Sequence, residues 1–175
     1  VNGAEGEVTK IPTYGFTIGE TMYVSYMSVR FWGEPGAWDA NHAALIVSRD
    51  GGESWQPVEG VEWPGDSNLV QVATARVSEG GTDWIYFWSI PSGRFGSVQL
   101  MRVEATEDAV EDQSAYSYFA GTEGETPRWS SDMADAATVV EGTIGELSVM
   151  WSTYLERWIM TYSDAGNAYI REGIT

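Results

Sequence analysis

The residues of this chain best suited to chemistry are carboxylates set among aromatic side chains. Glu146, in Gly145-Glu146-Leu147-Ser148-Val149, opens a strongly apolar run. A lone charge there would be costly unless it lined a wet cavity. Such an acid suits acid/base work on a glycosidic bond. That reaction usually needs two carboxylates, about 5–5.5 Å apart for retention or about 6.5–9.5 Å for inversion. The alternative for Glu146 is a strand-end glutamate in solvent. The second acid nominated is Asp39, in Gly36-Ala37-Trp38-Asp39-Ala40-Asn41-His42, a loop entering a strand. Trp38, the nearby Trp32 and Asn41 complete the mixture of indole, acid and amide expected of a sugar-binding rim. His42 is the only histidine; it could be a general acid, a metal ligand or a hydrogen-bonded strand residue, and one histidine makes no zinc cluster. Arg94, in Pro91-Ser92-Gly93-Arg94-Phe95-Gly96, could donate a fork of hydrogen bonds to substrate hydroxyls, or be an ordinary exposed turn arginine. Asp132 and Asp135 could extend the rim, although no spacing rule separates them from surface residues. The acids of Ala105–Asp112 read as a solvated charge run without partner or chemistry.

The elements that must hold these residues announce themselves most clearly at Ser48-Arg49-Asp50-Gly51-Gly52-Glu53-Ser54-Trp55. This is the Ser-x-Asp-x-Gly-x-Ser/Thr-Trp signature of an Asp-box, a hairpin turn that recurs in β-propellers. Its expected geometry is local. The Asp50 carboxylate accepts the turn's own amides, Gly52 takes a positive φ, and Trp55 folds beneath as a plug. The role is structural, on a rim away from any ligand, and a fold signature does not supply function.

At 175 residues, 43% hydrophobic and 20% charged, the composition is that of one globular domain. Aromatics are enriched to 13%, with nine Trp, nine Tyr and five Phe, which suits pleated strands and stacking on sugar rings alike. A balance of 26 acidic to 9 basic residues gives a net charge of −17. That field repels phosphate backbones and anionic membrane surfaces, which argues against nucleic acid as a partner. No run approaches the about 18 apolar residues of a membrane span, and the N-terminus has no signal-peptide pattern. There is no cysteine, which excludes disulfides and thiolate sites. Calcium on loop oxygens is conceivable but no EF-hand-like array occurs, so no cofactor is indicated. Hydrolase-elbow, phosphate-loop and dinucleotide motifs are absent.

Period-two alternation breaks the chain into short strands with almost no helical pattern, an all-β reading. Four strands are expected over Tyr14–Ile18, Met22–Arg30, Asn41–Ser48 and Trp55–Val58. Four more follow over Leu69–Val77, Asp83–Ile90, Ser97–Glu104 and Ala115–Ala120. The last group is Ala136–Val140, Glu146–Trp151, Arg157–Ser163 and Asn167–Arg171, its final connection being Asp164-Ala165-Gly166. Three four-stranded antiparallel units, approximately 11–60, 66–121 and 127–173, thus recur at a spacing of roughly 55 to 65 residues, as propeller blades do. Rings close with about four to eight blades, so the expectation is a partial propeller. Missing blades would come from a longer chain or from self-association, and the absence of an initial Met and the stop just after a strand agree with a fragment. A complete β-sandwich is the alternative.

Five motifs in order carry a family resemblance: Ile11-Pro12-Thr13-Tyr14-Gly15, Tyr26–Gly33, the Asp-box, Pro91–Gly96, and Gly145–Val149 with Arg157–Tyr162. Together they resemble, over nearly the whole chain, an actinobacterial domain family of formerly unknown function that is associated with endo-acting D-arabinanases. The resemblance implies a five-bladed propeller and an extracellular or cell-surface location. It also implies hydrolysis of α-arabinofuranosyl linkages in cell-wall arabinan, with a polysaccharide or oligosaccharide as partner. Under it Glu146 keeps an acid/base role, while Tyr26, Ser28, Arg30, Trp32, Asp39, Asn41 and Arg94 become substrate contacts, joining Trp38 and His42. An inward acid from the blade before Ile11-Pro12 would be missing. The competing reading is a non-catalytic carbohydrate-binding or cell-surface propeller.

Overall fold

The computed structural model describes residues 6–164 and 167–172. Alternation of apolar residues along each strand gives most sheets two faces to bury, and the chain answers by stacking three antiparallel sheets. The first is a meander of β1 (Thr9–Ile18), β2 (Thr21–Trp32), β3 (Trp38–Ser48) and β4 (Gln56–Pro64). The second runs in the order β5 (Gln71–Glu79), β6 (Thr82–Ile90), β7 (Gly96–Glu104), β8 (Ser117–Glu123), β9 (Thr126–Ser130), with β10 (Thr138–Ile144) also on β7. The third holds β11 (Leu147–Ser152), β12 (Arg157–Asp164) and β13 (Asn167–Glu172). No sheet closes on itself among the described residues. The expected connection at Ala165-Gly166 lies outside them, as does residue 173.

The middle sheet shows the period-two logic directly. Ile85 and Phe87 of β6, with Met101 and Val103 of β7, face the first sheet and join Tyr23, Leu45 and Val47 in one core. Their alternates Tyr86, Trp88 and Ile90, with Val98, face the third sheet and pack with Val149 and Met160 in another. Burying a side chain of this size contributes about 1.5–3 kcal/mol. A one-residue slip would exchange the two faces, so the register is strongly specified. The first strands of the sheets lie side by side, β1 beside β5 and β5 beside β11.

Two expectations are corrected. The strand expected to open the third unit, over Ala136–Val140, falls in β10 and pairs with β7 of the second sheet. The outer edge of β7 is shared: Met101 and Arg102 pair with β8, while Gly96, Val98 and Gln99 pair with β10. Once β8 turns away with β9, that half-edge would leave backbone groups unpaired, and β10 supplies them. The acidic run is also not a free loop. Thr106 caps α1 (Glu107–Val110), its side chain accepting the Ala109 amide. Glu111 accepts the Tyr23 hydroxyl at 2.6 Å and pairs with Arg49, while Glu107 accepts the Thr21 hydroxyl at 2.9 Å. Asp132 and Asp135, by contrast, make local bonds, to the Ala134 amide and the Ser130 hydroxyl.

Candidate functional site

Where the starts of β1, β5 and β11 meet, a pocket of about 260 Å³ opens. β1 contributes Ile11, Pro12 and Thr13, β5 contributes Gln71 and Val72, and the entry to β11 contributes Glu146 and Leu147. Trp32 at the end of β2, Trp38 at the start of β3, Met27 and Arg94 complete the wall. Four sequence-predicted residues therefore come together from distant parts of the chain: Glu146, Arg94, Trp38 and Trp32.

Their geometry is specific. Arg94 Nε and Nη2 both reach Glu146 Oε1, at 2.7 and 2.6 Å. The Ser163 hydroxyl donates to Oε2 at 2.9 Å. Burial pushes the Glu146 carboxyl up, but the bonds from Arg94, its own amide and Ser163, with the Arg94 charge, bring it net below the usual carboxylate range. Glu146 is thus a held carboxylate, suited to act as a base, a nucleophile or an acceptor of ligand hydroxyls, and poorly suited to donate a proton. The guanidinium carbon of Arg94 lies 5.8 Å from the Trp38 ring centroid, within cation–π range. Trp38 is fixed by an Nε1–H bond to Met27 Sδ at 3.3 Å and leans on Trp32 with ring centroids 5.7 Å apart. Trp32 is 46% exposed, leaving an indole face open to solvent beside an ion pair.

The other nominated residues lie elsewhere. Asp39 is outside the pocket, 3.9 Å from Arg30, with both side chains more than half exposed. Such a surface pair contributes little. Tyr26 and Ser28 alternate with Met27 along β2, so they face away from the pocket. Ser28 is fully buried there, donating to Glu7 Oε2 at 2.6 Å and accepting from Asn41 Nδ2 at 3.1 Å. His42 pairs with Ser28 across the strands and sets its ring edge-on to Tyr26 at 6.1 Å. Burial, then Glu7, Glu62 and Glu59, raise the Tyr26 hydroxyl. Among the described pocket residues Glu146 is the single carboxylate.

Sequence reasoning missed Gln71, Ser163, Thr13 and Glu7. A polar residue at a strand head carries no signal until the fold shows what it faces. Among the described residues no group of three or more His, Cys, Asp or Glu is placed to hold a metal ion, and no helix is long and apolar enough to cross a membrane.

No curated protein matches the chain. A solved structure of a candidate hydrolase from Bacteroides ovatus ATCC 8483 is similar in fold, with a TM-score of 0.55 at 12% identity. The similarity covers 95% of this chain and 42% of that one, so the chain spans less than half the length of its structural neighbour. The domain family DUF4185, described as a domain of unknown function, matches residues 1–172, and this all-β chain belongs to it.

Proposed function

We propose that this protein is a carbohydrate-active unit of β-propeller type, working outside the cell or on its surface, that binds and cleaves arabinofuranosyl linkages of cell-wall arabinan. The observation that carries this reading is the Arg94–Glu146 pair set against Trp38 and Trp32 where three sheets meet. Indole faces stack on the apolar faces of sugar rings, and a carboxylate beside a guanidinium offers an acceptor and a donor to neighbouring hydroxyls. The motif resemblance to endo-D-arabinanases and the hydrolase description of the Bacteroides ovatus neighbour support the enzymatic version. In it Glu146 serves as base or nucleophile of a carboxylate pair.

The partner acid would come from a further sheet, supplied by a longer chain or by a second copy. The outer face of the third sheet favours such a neighbour, since Met150 and Ile170 are 60% and 73% exposed on it. A second reading, a non-catalytic carbohydrate-binding module, is favoured by the single carboxylate of the lining.

The test pairs an arabinan panel with light scattering, using the wild type and Glu146→Gln. The enzyme reading expects cleavage by the wild type that Glu146→Gln abolishes while binding persists. Binding without cleavage by a fully assembled wild type would select the module reading. Neither binding nor cleavage of any arabinan would overturn both.

A further inference from the structure

Arg94 has no strand to hold it. It sits on the turn between β6 and β7, and its side chain is 47% exposed. A turn arginine of that exposure ordinarily spends its rotamer freedom in solvent. Here the backbone beneath it is fixed on three sides. The Arg94 amide donates to the Gly36 carbonyl of the first sheet's loop at 3.0 Å. On the opposite flank a Cβ at Gly145 would lie 2.3 Å from Ser163 Oγ and 3.1 and 3.2 Å from Arg94 Cγ and Cβ, so the arginine stem threads a gap kept open by glycine. From below, the Gln71 side chain, at the head of β5, donates through Nε2 to both the Pro91 and Gly93 carbonyls, at 2.7 Å each. Those two bonds take up both protons of the amide. Gln71 is only 4% exposed, so water could not readily replace it.

We infer that Gln71 is a positioning residue: its amide presets the Pro91–Gly96 turn so that Arg94 lies over Trp38 and against Glu146. A buried amide that satisfies two carbonyls of one turn fixes that turn more firmly than either bond alone, and its loss strands both acceptors. The consequence for ligand affinity rests on the carbohydrate reading of the pocket, whereas the positioning itself does not.

The experiment compares Gln71→Leu with the wild type by following the Glu146 carboxyl carbon through an NMR pH titration, with the Asp50 carboxyl as a remote control. The expected result is that Glu146 titrates at higher pH in the variant while Asp50 is unchanged, and that arabinan oligosaccharide binds about tenfold more weakly. A Glu146 titration superimposable on the wild type overturns the inference. Should Gln71→Leu not fold, exchange of the Gln71 side-chain amide protons in the wild type decides. Protection from solvent is expected, and exchange as fast as in an exposed glutamine contradicts it. A shifted Glu146 titration with no oligosaccharide bound by either protein supports the positioning role and counts against the carbohydrate reading.

Discussion

The two ends of β3 hold two kinds of structure. At its last residue begins the Ser48–Trp55 turn, and at its first stands Trp38 of the pocket, ten residue steps or about 33 Å away along an extended strand. In the turn the bonds that set its shape are local, and Arg49 alone reaches out, to Glu107 and Glu111. Asp50 Oδ1 accepts the Ser48 hydroxyl at 2.7 Å and the Ser54 amide at 2.9 Å, Gly52 N donates to Ser48 Oγ at 2.9 Å, and Trp55 Nε1 donates to the Gly52 carbonyl at 3.2 Å. Gly51 and Gly52 have φ of 75° and 92°, which side chains rarely adopt. In the pocket the lining residues come from separate elements of all three sheets and the loops beside them. The turn fixes its own shape, whereas the pocket exists only while the sheets stay stacked.

The sharpest way to break this contrast is at Glu146. Glu146→Gln should lower turnover on arabinan by about a thousandfold or more, as expected for loss of a reacting carboxylate, while circular dichroism and Tm stay near wild type. Gly145→Val is next: its side chain meets Ser163 and the Arg94 stem. Overpacking of this kind costs about 1–3 kcal/mol, and calorimetry should show lost stability together with lost ligand binding. Trp38→Ala should weaken oligosaccharide binding about tenfold through the lost aromatic face, with a smaller change in Tm. Asp50→Ala should do the reverse, lowering Tm by a few degrees with ligand affinity unchanged. A variant of the turn that altered binding would merge the two regions into one functional unit.

The contrast extends to pH. Bonds from Ser54 and Ser48 hold the Asp50 carboxyl down to about 2, against an ordinary value of 3.8. A depressed carboxyl stabilises the fold above its unfolded value and loses that contribution as pH falls through the folded one. Acid titration should therefore leave the turn bonded near pH 3 and release it toward pH 2. Glu146 is depressed too, so the Arg94 pair should also loosen only below the usual carboxylate range.

What was legible in the sequence follows the same division. The Asp50 bonds and the glycine conformations could be read from eight consecutive residues, because Asp50 finds its partners Ser48 and Ser54 within them. Strand identity was legible from alternation for most of the chain, as in Ile85 to Ile90, but β9, at Thr126–Ser130 beside β8, was not expected. Sheet membership was not: the placement of β10 depends on β8 leaving the edge of β7, which neither strand's own pattern shows. Glu146 and Arg94 could each be nominated, but their pairing depends on the Gly145 gap and the Gln71 amide. Tyr26 and Ser28 were grouped with them through the family resemblance and His42 through its nearness to Trp38, and the register shifts between Ser28 and Phe31 separate all three from Trp32 and Trp38 of the pocket.

His42 reports on that separation, because it is the only histidine and gives one assignable imidazole signal on the face away from the pocket. An NMR titration of the protein with arabinan oligosaccharide should shift the Trp32 and Trp38 indole signals and the Glu146 carboxyl while the His42 imidazole stays where it is. Movement of His42 with the pocket signals unchanged would rule out ligand binding in the pocket and place the ligand on the other side of the first sheet.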